Sequence, residues 1–115
     1  EAADATRRLM SGSEVPDAIF VASDAMAISV MDTLRKEYDI QIPDDISVVG
    51  YDNIPQSAWA AYNLTTVEQQ FSAMIRVAVQ TLLQQIQSGQ VESESFVFPG
   101  NIMVRGSARI PSDHN

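Results

Sequence analysis

The stretch "ISVVGYDNIP", Ile46–Pro55, decides the reading of this 115-residue chain. Ile46 to Val49 form an unbroken apolar run of the kind that makes a buried β-strand. Gly50 then hands over to Tyr51, Asp52 and Asn53, three side chains rich in hydrogen-bonding groups. In open α/β sheets, ligands sit in the crevice beyond the carboxyl ends of the strands. The handover therefore marks a candidate site, with Gly50 letting the backbone turn and come close to whatever binds.

Upstream, Ala18 to Ala22, "AIFVA", is a second apolar run of strand type. Ser23 and Asp24 follow as helix N-cap candidates. From Ala25 to Tyr38, Ala27, Val30, Met31, Leu34 and Tyr38 recur at helical spacing. Met26 and Ile28 add apolar surface outside that stripe, which leaves room for a partner on a second side. "DIQIPDD" is a loop before the strand at Ile46. Strand, helix, strand is a βαβ unit, because parallel strands need such a crossover. Both strands are apolar throughout, the pattern of a parallel sheet covered on both faces.

Downstream, Pro55 suits the first turn of a helix that ends near Asn63. Leu64 to Val67, "LTTV", reads as a brief extended crossing. Gln69 to Ser88 is the longest helix, with Phe71, Met74, Ile75, Ala78, Leu82 and Ile86 on its apolar face and Gly89 as its stop. Ser95–Pro99 and Asn101–Ser107 read as two short extended runs. At the other end, "EAADATRRLMSG" has the look of a helix end running into Gly12, not of a secretory signal. Two firm parallel strands and two weak ones fall short of the five or six in an ordinary open sheet. The expectation is an incomplete α/β lobe, its sheet completed either by residues outside this sequence or by another chain.

Composition narrows the function. The formal net charge is −8, and Arg7, Arg8, Arg35, Lys36, Arg76, Arg105 and Arg109 are scattered. Phosphate backbones need clustered cations, so the chain by itself is a poor nucleic-acid binder. Cys is absent, which fits the cytoplasm, and no apolar run approaches a membrane span. The only histidine, His114, lies in a polar tail with no second His or Cys, so no metal site is expected. GxSxG, HExxH, the phosphate loop and GxGxxG are all missing. Neither enzyme chemistry nor a cofactor is expected.

The candidate residues each carry two readings. Asp52 offers a carboxylate that accepts two hydroxyl hydrogen bonds at fixed geometry, which suits a polyol or sugar. Asp52 and Asn53 equally suit a turn ahead of the Pro55 helix. Ser23 and Asp24 lie in the same layer, and capping is the commoner role for both. Trp59 has the ring to stack on a sugar, though such residues more often serve a core or interface. Phe71 either lines a pocket or packs.

Five segments together resemble the effector-binding core of the lactose/galactose repressor (LacI/GalR) family of transcription regulators. They are "PDAIFVASDAMAI" (Pro16–Ile28), "IPDDISVVGYDNIP" (Ile42–Pro55), "LTTVEQ" (Leu64–Gln69), "LLQQI" (Leu82–Ile86) and "VRGSAR" (Val104–Arg109). The resemblance covers the chain from about Ala5 to Arg109. It implies the C-terminal part of a two-lobed, periplasmic-binding-protein-like (type I) core, with the helix at about 69–88 crossing toward the N-terminal lobe. The helix-turn-helix that reads operator DNA is absent from this chain. By resemblance, Asp52 is the ligand-binding acid of "GYD", Ser23 stands where many members carry Asn, and Phe71 flanks the pocket where many carry Pro. Met26, Ile28 and Val30, with Trp59, match the family's homodimer surface. A loop at "KEYDIQIP" one residue longer than usual and Ile75 in place of a common glycine are further departures. The function implied is a cytoplasmic, sugar-responsive repressor. The alternative is a periplasmic sugar-binding protein of a transport system.

Overall fold

A computed structural model describes residues 1–91 and 94–111. They form two compact units: residues 1–68 with the chain from 102 onward, and residues 69–101.

The first unit is built on the expected βαβ pattern. β1 (Ala18–Phe20) pairs in parallel with β2 (Ser47–Val49), Ile19 opposite Val48. The helix between them, α2 (Asp24–Tyr38), buries Ala27, Val30, Met31 and Leu34 against Val21, Ile46, Val48 and Leu64. Fully burying a side chain such as Leu34 contributes roughly 1.5–3 kcal/mol. α2 starts at Ser23, whose Oγ accepts from the Met26 amide at 3.3 Å. It stops at Asp39, in the left-handed conformation at φ 54°. α1 (Ala2–Met10) packs on the same core through Ala2 and Met10. It is tied to α2 by the Arg7 guanidinium, which donates to Glu37 at 3.0 Å.

β2 does not end where its apolar run ends. The Gly50 amide donates to the Thr65 carbonyl and the Asp52 amide to the Val67 carbonyl, both at 2.9 Å. These bonds extend the parallel pairing alongside β3 (Thr66–Glu68) as far as Asp52 and Glu68. β3 also lies beside β4 (Asn101–Met103). Beyond β4, Ser107 closes the edge: its carbonyl accepts from the Val48 amide, while its hydroxyl donates to the Val48 carbonyl and accepts from the Thr65 amide.

Two expectations are corrected. The helix after Pro55 is only a 3-10 turn, Pro55–Ala58, because the chain becomes extended at Trp59, at ψ 143°. The run Ser95–Pro99 forms no strand among the described residues. His114 lies outside the described residues.

The second unit holds α3 (Phe71–Ser88), closed by Gly89 at φ 69°. None of its residues is buried. Ile75, Val79, Leu82, Leu83 and Ile86 are all exposed. No helix of the described residues is long and apolar enough to cross a membrane.

Candidate functional site

The turn that follows β2 carries the unusual backbone. Asp52 and Asn53 both have positive φ, 131° and 59°. For side chains other than glycine such conformations cost on the order of 1–3 kcal/mol each and persist only where the surroundings over-determine them. Gly50 is not the residue that makes the turn. A Cβ at Gly50 would run into the Asp24 carboxylate and press on Leu64. The glycine is there for a close approach, but the group that approaches is the chain's own.

Asp24 accounts for that approach. It is 0 % exposed. Its Oδ1 accepts from the Thr66 hydroxyl at 2.6 Å; its Oδ2 accepts from the Ser57 hydroxyl at 2.6 Å and the Ile54 amide at 3.2 Å. Its own amide donates to the Tyr51 carbonyl at 3.0 Å. One buried carboxylate thus joins the start of α2, the candidate turn, the 3-10 turn and β3. Three donors converge on two oxygens, so Asp24 is occupied inside the protein. The structure corrects its placement among ligand-facing groups: it forms the floor under the turn.

Arg105 reaches the turn from another direction. Its Nη2 donates to Asn53 Oδ1 at 2.8 Å and its Nη1 to the Leu64 carbonyl at 2.9 Å. Its amide donates to Thr65 Oγ1 at 3.0 Å. Asp52 therefore stands on a turn whose backbone is fixed by Val67 on one side and by Asp24 on the other, with the Asn53 side chain held by Arg105.

Asp52 and Ser23 are both partly exposed, at the carboxyl ends of β2 and β1. Phe71, 50 % exposed, opens α3 in the second unit. Of the residues assigned to a dimer surface, Met26 and Trp59 are exposed, the latter 57 %, and Ile28 is half-buried. Val30 is corrected: at 6 % exposure it belongs to the core. Its place at i+3 from Ala27 puts it on the stripe that packs inward. A separate hollow of about 380 Å³ lies within the second unit, lined by Val77, Thr81, Gln85, Glu94 and Phe96 among others. Among the described residues no group of three or more His, Cys, Asp or Glu could hold a metal ion.

The sequence pattern of the periplasmic binding protein-like domain matches residues 1–108. The chain belongs to that family. It is 33% identical over 105 residues to the ribose operon repressor of Escherichia coli K12, covering 91% of this chain and 32% of that protein. It is 34% identical over 112 residues to the transcriptional repressor PurR of Glaesserella parasuis, covering 92% and 33%. Among solved structures, a LacI family transcriptional regulator from Lactobacillus casei with bound sucrose superimposes with a TM-score of 0.75 at 32% identity, covering 93% of this chain and 39% of that one. The LacI/GalR resemblance and the parallel α/β fold stand. The chain spans about a third of the length of the curated relatives it matches.

Ser57, Thr66 and Arg105 are the site's unforeseen members. Thr66 and Arg105 sit inside "LTTV" and "VRGS", segments legible as motifs but not as contacts. Nothing in the sequence marks Ser57.

Proposed function

We propose that this chain is the effector-sensing part of a sugar-responsive transcriptional repressor. Asp52 is the central ligand-binding group, with Ser23 beside it. The observation that supports this most strongly is the turn at Asp52 and Asn53. Two adjacent positive φ values on non-glycine residues, held by Asp24, Val67 and Arg105, are a costly way to make a bend. They are an economical way to present a carboxylate at the end of a strand in a fixed direction.

In the intact regulator, α3 crosses toward the N-terminal lobe, whose surface covers its apolar face. Met26, Ile28 and Trp59 contribute to a homodimer surface. Operator DNA is bound through a helix-turn-helix elsewhere in the protein, and the regulator works in the cytoplasm as a sensor, without catalysis. Effector favours one arrangement of the lobes and shifts the population toward it. The relatives' names, ribose repressor and PurR, and the sucrose in the Lactobacillus casei structure, set the panel to screen.

The test is a thermal-shift screen of the intact regulator with sugars, sugar phosphates and purines, against Asp52→Ala. A ligand at a hundred times its Kd adds about 2.7 kcal/mol to stability. A shift with one sugar, absent in Asp52→Ala, is the expected result. A shift that survives the substitution rules Asp52 out as the ligand's anchor.

A further inference from the structure

We propose that Arg105 is a positioning residue for the candidate site: its guanidinium latches the Asn53 side chain and so holds the turn that presents Asp52. The proposal deepens the effector reading and rests on it for the word "site". The latch itself is argued from geometry alone.

Asn53 takes the left-handed conformation in the middle of the turn, at φ 59°. The neighbouring amides are bonded, Asp52 to the Val67 carbonyl and Ile54 to the Asp24 carboxylate. What grips Asn53 is its side chain, through Arg105 Nη2 at 2.8 Å. A guanidinium has donors and no acceptor. The carbonyl end of the Asn53 amide must therefore face Arg105, and the NH2 end is turned away from it. Arg105 is itself held at two more points, the Leu64 carbonyl and Thr65 Oγ1. The fork of Arg suits this task and the point charge of Lys does not, because Nη1 and Nη2 serve two acceptors at once. The arginine follows β4 by two residues, so the return of the chain from the second unit ends on the turn.

The experiment is residue-resolved amide hydrogen exchange in the full chain, without ligand. In Arg105→Met, which keeps much of the side-chain volume, the Asp52 and Ile54 amides should exchange at least tenfold faster. The Val21 and Ala27 amides, bonded to the Val49 and Ser23 carbonyls away from Arg105, should not change. Asn53→Ala should reproduce the pattern. Asn53→Asp, whose carboxylate accepts from the same guanidinium, should keep wild-type exchange, and Arg105→Lys should fall between. Unchanged exchange at Asp52 and Ile54 overturns the latch. So does a uniform acceleration, or one confined to Gly50 and Thr65, since either makes Arg105 a support of the sheet. No ligand enters this readout. A failed sugar screen therefore counts against the effector reading and leaves the latch result standing.

Discussion

At the scale of single residues, Asp24 shows how one buried carboxyl group ties several elements to one turn. Three donors converge on its carboxylate, two of them hydroxyls that can turn round and one an amide that cannot. Removing the acceptor leaves buried donors unsatisfied, at about 1–3 kcal/mol each. Asp24→Ala should therefore cost more than about 3 kcal/mol in urea unfolding. Asp24→Asn should cost only about 1 kcal/mol. Its Oδ1 still accepts from Ile54 and Ser57, while its NH2 donates to a reversed Thr66 hydroxyl. Thr66→Val would remove that escape, so the Asp24→Asn, Thr66→Val double variant should be worse than the sum of the singles. Simple additivity would show that the Thr66 contact is not the one that matters. Gly50→Ala belongs to the same cluster. Its methyl would enter the Asp24 carboxylate, and overpacking of this kind costs typically 1–3 kcal/mol. None of this was legible in "SDA" or "VGYD". A sequence shows that Asp24 follows a strand; only the fold shows Ser57 and Thr66 arriving beneath it.

At the scale of elements, sequence periodicity carried most of the information. The stripe Ala27, Val30, Met31, Leu34 placed α2, and Gly89 ended α3 as its left-handed cap. The failures were local. The 3-10 turn at Pro55–Ala58 stops early because Ser57 is drawn to Asp24 and Trp59 is already extended. Helical spacing alone cannot register either pull. The contact between α1 and α2 gives a pH-dependent test. The hydrogen bond from Arg7 holds the Glu37 carboxyl below its usual range. A lowered folded-state pKa means stability present above the unfolded value, near 4.3, and lost as pH falls through the folded value. Glu37→Gln should remove that part of the acid sensitivity while changing neutral-pH stability little, since both partners are exposed. The measurement is melting temperature between pH 2 and 7. An unchanged slope below pH 4.5 would show that the α1–α2 ion pair is not held in solution.

At the scale of the whole molecule, the two units differ in how far they account for themselves. Among the described residues, the first unit buries eight hydrophobic side chains, and no buried side-chain polar atom lacks a hydrogen-bond partner. The second leaves α3 without a buried residue and with apolar side chains along its length exposed. Amphipathic patterning made the helix legible in the sequence, but a pattern cannot say whether the surface it calls for is present in the same chain. Apolar surface of this extent is uncommon on a soluble monomer. The proposed function supplies a cover for it, the N-terminal lobe of the intact regulator. The chain alone should therefore self-associate through α3. Sedimentation velocity should show a weight-average mass that rises with concentration, and Leu82→Glu with Ile86→Glu should return it toward the monomer. The pair discriminates between two origins of association. If the double variant still associates while Trp59→Ser does not, the surface around Met26 and Trp59 is the dominant contact. The apolar face of α3 would then be too weak to drive assembly by itself.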